Sequence, residues 1–224
     1  QTAPSLTPAP ETRVLPTAAQ PIVEAEAPTP TATSKPPHYV YQPNPEMPPA
    51  FNQLLEQQAL HTAQGAANEL TYTFAFGDAD PVGEWIYALV APFPTVRDEV
   101  SADWLRKLWQ GQPEDAVQTL LIAEEDLPAL SSLLGEPGQS VRTQLGESLL
   151  ETAWTTQNTW AIIPFGEIQA RWKVMIIDGQ SPIHKDFSAE SYALKVPISV
   201  RLLEPDASFA LPPELADLHL SNLD

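Results

Sequence analysis

Prolines set the first limit on what this chain can fold into, because 13 of its 25 lie within the first 50 residues. Each proline removes an amide donor and pushes its predecessor toward extended geometry, so neither helix nor sheet propagates through such a stretch. Between the prolines of residues 20–34 stand mostly Thr, Ala and Glu, with almost no large apolar groups. That leaves too little apolar surface to offset the entropy of ordering. Residues 1–48 are therefore expected to form a disordered Pro/Thr-rich arm, a semi-rigid spacer on the order of 150 Å long when fully extended. Tyr39 and Tyr41 either pack onto a following domain or belong to the linker; the sequence leaves both readings open. Pro/Thr spacers of this kind commonly separate an anchor from a domain at cell surfaces.

From Pro49 the composition becomes that of an ordinary globular domain, expected over 49–208, with a linker or tail over 209–224. Residues 50–70 favour helix and place Phe51, Leu54 and Leu55 on one side. Residues 70–76 alternate in the manner of a strand, and 85–91 are a continuous apolar run, as in a strand buried on both faces. Ser101 is placed to cap a helix whose apolar face is Trp104, Leu105, Leu108 and Trp109, and Gly111 to end it in a left-handed turn. Further strands are expected at 117–123, 159–164, 172–177 and 194–203. Helices are expected up to Leu134 with Gly135 as the stop, and over 147–156. Strands alternating with helices predict an α/β fold, a mixed sheet with flanking helices.

The chain has 29 acidic and 11 basic side chains, a net charge of −18. Such a surface repels phosphate backbones and anionic lipid headgroups, so nucleic acid is excluded as a partner. There is no cysteine, hence no disulfide, zinc-thiolate site or thiol nucleophile. No apolar run is long enough to span a bilayer. The start at Gln1 rather than Met suggests a processed or trimmed start, and the sequence leaves open whether a signal peptide or lipid anchor preceded it.

Catalytic constellations are missing. His38, His61, His184 and His219 are scattered without ligand-pair spacing, and no GxSxG, P-loop or GxGxxG occurs. Asp78 and Asp80 form a carboxylate pair in a loop, for which turn hydrogen bonding is the simpler explanation than cation binding. The acidic run Glu124-Glu125-Asp126 precedes a helix, where capping and the helix dipole account for it. Most of the six tryptophans fall on apolar faces and read as core. No metal, cofactor or catalytic group is expected.

Two stretches resemble the type 2 periplasmic-binding-protein family, in particular its phosphate-binding-like branch. One is Ser101 to Gly111, similar to that family's Ser-x-x-x-Leu…Trp/Phe-x-Gly helix. The other joins Trp160-Ala-Ile-Ile-Pro164 to Asp178-Gly179-Gln-Ser-Pro182 and Ser191-Tyr192-Ala193-Leu194, with Ala193 where the family often has Pro. The ensemble of 85–94, 160–165, 171–174 and 178–182 also resembles the module preceding CapA-type poly-γ-glutamate or capsule-synthesis domains. The resemblance implies an extracytoplasmic substrate-binding-like domain, tethered through its arm and followed by a CapA-type domain. About 155 residues, 50–204, fall short of a full two-lobed protein. The family's Gly/Ser-rich anion loop has no counterpart after Phe76, where two carboxylates stand instead, so the fold is carried over but phosphate binding is not.

By the strand-end rule for open α/β sheets, a small-molecule or oligomeric envelope ligand is expected at the loops 76–80, 91–94 and 164–166. The candidate binding residues are Phe76, Gly77, Asp78, Asp80, Pro92, Phe93, Phe165 and Gly166. Two rivals remain: a structural or adhesive surface domain without a ligand, and an envelope-polymer hydrolase, which needs paired carboxylates of separated pKa.

Overall fold

The computed structural model describes residues 38–57, 69–77, 79, 81–114, 116–203, 215 and 220–223. The expected arm up to residue 37, most of the expected tail, and the carboxylates Asp78 and Asp80 lie outside the described residues.

In chain order the elements are β1 (His38–Tyr41), α1 (Pro49–Gln57), β2 (Glu69–Phe76), β3 (Pro81–Pro92), β4 (Glu99–Val100), α2 (Ala102–Trp109), β5 (Thr119–Ala123) and α3 (Leu127–Leu134). They continue with β6 (Val141–Gln144), α4 (Leu149–Thr155), β7 (Thr159–Pro164), β8 (Trp172–Val174), β9 (Ile176–Ile177), β10 (Lys195–Leu202) and β11 (Leu220–Ser221). The fold is α/β, with one mixed sheet in the order β1-β2-β10-β3-β7-β5-β6 and flanking helices.

Strand β3 organises this sheet. Its first half pairs with β10 on one side and with β11 on the other, through Gly83 and Glu84. Its second half pairs with β7 and β8. One twelve-residue strand therefore runs through two half-sheets, and its apolar sequence follows from that place. Tyr87, Leu89 and Ala91 enter the core beneath α1, α2 and α3, whereas Ala88 and Val90 enter a second core beneath α4. A strand buried on both faces needs apolar side chains at every position.

The local signals of α2 are met. Ser101 Oγ accepts from the Trp104 amide at 3.1 Å, and Gly111 adopts φ +81°. An L side chain at Gly111 would be strained in that region. Five of the six tryptophans are buried, and Trp154 is 37% exposed.

Three expectations need correction. Residues 38–48, assigned to the arm, contain β1, which pairs in parallel with β2 from His38–Glu69 to Tyr41–Tyr72. The buried Val40, Tyr41 and Met47 supply the apolar contact that the prolines around them concealed. The tail contributes β11, whose neighbour Asn222 pairs with the Ile86 backbone at 2.8 and 2.9 Å. Gly83 permits this approach, since a Cβ there would stand 2.3 Å from the Leu220 carbonyl oxygen. The strand expected over 172–177 breaks at Met175, whose amide returns to Leu89 while β9 pairs away with β4.

Candidate functional site

Strands β6, β5 and β7 are mutually parallel, so their carboxyl ends, at Gln144, Ala123 and Pro164, open on one side. Each end leads into a 3-10 turn: Glu124–Asp126, Gly146–Ser148 and Phe165–Glu167. Ligand clefts of open α/β sheets form at such ends. Pro164 lies opposite Tyr87, near the point where β3 changes partners, and α1 and the segment after β11 face the same place.

Two concavities meet there. One, of about 430 Å³, is lined by Glu125, Gly146, Glu147, Gly166 and Glu167 among others. The other, of about 300 Å³, shares Gly166 and Glu167 and is walled by Gln53 and Gln57 of α1, Trp85 and Asn222. No Lys or Arg lines either one.

Within electrostatic reach of Glu125 and Glu167 lies a buried polar pair. The Tyr87 hydroxyl donates to Asp126 Oδ1 at 3.0 Å, and Asp126 is 1% exposed. Burial pushes the Asp126 carboxyl up to about 7, opposed by the Tyr87 hydrogen bond and reinforced by Glu167 and Glu125. Burial, then the charge of Asp126, raises Tyr87 well above its ordinary value. Glu167, at the solvent-facing rim, is raised by partial burial and by Glu125. Desolvation and like charge both disfavour ionisation, so this corner already holds more negative charge than it easily tolerates.

A second polar group stands out in the opposite wall. Trp85 is 3% exposed and packs edge-on to Phe51, with ring centroids 5.7 Å apart. Its indole Nε1–H has no hydrogen-bond partner among the described residues. Buried indole N–H groups usually find an acceptor.

The sequence-expected residues that the structure describes are not brought together; Asp78 and Asp80 lie outside them. Phe76 and Gly77 lie at the end of β2, where the Gly77 amide bonds the Pro197 carbonyl. Pro92 ends β3 and Phe93 follows it, which at about 3.3 Å per residue puts Pro92 about 36 Å along the strand from Pro81. Phe93 is 66% exposed and its amide bonds Arg171. Only Phe165 and Gly166 belong to the cleft turns, and Gly166 lines both concavities. Asp126, Tyr87, Glu125, Glu167 and Trp85 were missed. The acidic run carried a signal, yet capping does not explain it, since Asp126 makes no side-chain cap bond and takes the Tyr87 hydroxyl instead.

A larger concavity of about 670 Å³ lies at the amino ends of β5 and β7, lined by Trp154, Trp160, Arg97, Gln157 and Asn158 among others. It is far from the strand carboxyl ends, and none of the buried unpartnered polar atoms belongs to its lining. Among the described residues no group of three or more His, Asp or Glu side chains converges to hold a metal ion. No described helix is long and apolar enough to cross a membrane.

No protein-family model matches the chain, and no curated protein matches it. Solved structures do. An ABC-type phosphate transport receptor from Vibrio cholerae is 11% identical with a TM-score of 0.58, over 76% of this chain and 88% of that one. A possible phosphate binding protein from Planctomyces limnophilus is 10% identical with a TM-score of 0.51, over 73% of this chain and 81% of that one. Although the sequence pointed to a shortened relative, the likeness is not confined to one part of those proteins. The described residues thus have the fold of type 2 periplasmic binding proteins.

Proposed function

We propose that this chain is an extracytoplasmic solute-binding-like module whose ligand occupies the cleft at the carboxyl ends of β5, β6 and β7, without catalysis of its own. The observation that carries this reading is the pair of concavities joined at Gly166 and Glu167, at the place where the fold puts ligands. The extracytoplasmic setting is supported by the likeness to transport receptors. A neighbouring capsule-related CapA-type domain, with the arm as tether, is supported by the motifs of residues 85–94 and 178–182.

Phosphate, named for both solved relatives, is a poor fit. Glu125, Glu147 and Glu167 line the site without a lysine or arginine, and their repulsion acts against an oxyanion. A ligand-free adhesive surface does not account for two adjoining concavities. A polymer hydrolase would use Asp126 as its acid, but that carboxyl is 1% exposed and already holds the Tyr87 hydroxyl.

A thermal-shift screen of the chain against phosphate, sugars, amino acids and amines tests the reading. A ligand at one hundred times its Kd adds about 2.7 kcal/mol to stability. The expected result is a reproducible upward shift with one class, abolished by Gly166→Leu, a substitution that meets nothing within 4 Å at its Cβ. A flat screen on a cooperatively folding chain would refute it.

A further inference from the structure

We infer that the distal concavity, at the amino ends of β5 and β7, is a second site, for a sugar ring carrying a carboxylate. The acid group would sit at Arg97, and the ring against Trp154 and the amides of Gln157 and Asn158. At about 670 Å³ the concavity is larger than either part of the cleft and within the range of small-molecule sites. Its charge sets it apart. Glutamates line the cleft, whereas Arg97 is the one charged side chain among the described residues that line the distal concavity. Asp115, beside the lining residue Ala116, lies outside the described residues. Arg171, over the Trp154 ring, and Lys173, bonded to the Thr95 carbonyl, stand at its margin. Three of the nine described lysines and arginines thus gather here, in a chain of net charge −18.

Both walls are held in place by the fold. On one, the Thr95 amide bonds the Pro92 carbonyl at 2.9 Å, and Lys173 Nζ bonds the Thr95 carbonyl at 2.7 Å. The Arg97 guanidinium lies 4.7 Å from the centre of the Trp104 ring, and its Nε donates to the Glu99 carbonyl at 2.9 Å. A guanidinium seated on an indole presents its N–H edge rather than its face, the geometry in which carboxylates are bound. On the other wall Asn158 takes a left-handed φ of +59°, which asparagine tolerates. Its carbonyl accepts from the Gln118 and Thr119 amides at 2.9 and 3.2 Å. Walls fixed in this way spare a ligand the cost of ordering them.

The remaining lining fits a hydroxylated ring. Trp154 is 37% exposed and supplies flat apolar surface for the C–H face of a sugar. Gln157 and Asn158 are exposed, and neither amide side chain bonds another described residue. Each amide both donates and accepts, as sugar hydroxyls do; a plain aromatic acid would leave both idle. The nearby carboxylates are engaged elsewhere. Asp98 pairs with Lys173 at 2.6 Å and Glu151 with Arg171 at 3.5 Å, and neither carboxylate lines the concavity. The last turn of α4 does not turn bare carbonyls on an anion either, since those of Glu151 and Thr152 accept from the Thr155 hydroxyl and the Thr156 amide.

Isothermal titration of the chain with four probes tests this. Glucuronate carries a carboxylate on a hydroxylated ring, glucose has the ring without the charge, benzoate has a carboxylate without hydroxyls, and inorganic phosphate has charge without a ring. The expected result is measurable glucuronate binding, at least tenfold weaker binding of the other three, and a tenfold or greater loss with either Arg97→Gln or Trp154→Ala. Gly166→Leu, which fills the cleft, should leave glucuronate binding unchanged. Glucose bound as tightly would overturn the role of the carboxylate, and benzoate or phosphate bound as tightly would overturn that of the hydroxylated ring. Glucuronate binding that ignores both Arg97→Gln and Trp154→Ala, or that Gly166→Leu abolishes, would overturn the site. Binding of none of the probes would overturn the inference and leave the cleft reading to its own screen. Circular dichroism melts of each variant separate loss of binding from loss of fold, and the exposed Trp154 keeps the test open where Arg97→Gln unfolds the chain.

Discussion

Asp126→Asn should make this protein more stable at neutral and alkaline pH and leave it nearly unchanged near pH 4. In the fold the Asp126 carboxyl is raised from 3.8 to about 7, chiefly by burial. A group whose folded pKa lies above its unfolded one keeps its proton longer in the native state. Below about pH 4 both states are protonated and no penalty exists. As pH rises toward 7 the unfolded chain releases the proton and the native one does not, so stability falls; above 7 the loss is constant. The gap, at about 1.4 kcal/mol per pH unit, makes about 4 kcal/mol in total. Because Asp126 is 1% exposed, solvent screening removes little of it. Asparagine keeps an oxygen to accept from Tyr87 and has no charge to bury. Urea unfolding of both proteins at pH 4, 5.5, 7 and 8 reads the effect. The difference between the two should grow from near zero at pH 4 to several kcal/mol at pH 8, all from the wild-type side. Parallel pH profiles for the two proteins would refute the argument, and so would a variant less stable at pH 8.

Three other perturbations follow from the same structure. Tyr87→Phe removes the hydrogen bond that lowers the Asp126 pKa, so the pH at which the wild-type loss levels off should move higher, measured by the same unfolding series. Asn222→Ala strips both bonds to Ile86 and should cost about 1–3 kcal/mol, with faster amide hydrogen exchange at Ile86 as the specific sign. Trp109→Ala, at a fully buried side chain, should cost about 3–5 kcal/mol, whereas Trp154→Ala at the exposed indole should cost far less in the same denaturation assay.

The fold was legible where its cause is local. The apolar run at 85–91 announced a strand covered on both faces, and Ser101, Gly111 and Gly135 marked helix ends by their own backbone chemistry. Strand β1 was hidden because Tyr39, Val40 and Tyr41 sit among prolines; what orders them is β2, about thirty residues away. Of the expected residues that the structure describes, only Phe165 and Gly166 fall in the candidate cleft. The strand-end rule serves parallel strands, and β3 runs antiparallel to β7, so its carboxyl end at Pro92 points away from the cleft. Asp126 looked like a cap in sequence because its true partner, Tyr87, is 39 residues distant. The unpartnered Trp85 donor has no sequence signature, since β3 would bury that indole whether or not an acceptor faced it.

Each of the six tryptophans contributes one indole N–H signal to a proton–nitrogen spectrum of the labelled chain, with Trp85 assigned by Trp85→Phe. Titrated with the ligand class whose melting-temperature shift Gly166→Leu abolishes, the account predicts that the signal of Trp85, in the wall of the smaller concavity, moves. The Trp109 signal, whose N–H already bonds the Gly135 carbonyl at 2.9 Å, should stay in place. Shifts confined to Trp154 and Trp160 would put the ligand in the distal concavity and contradict the cleft as the binding site.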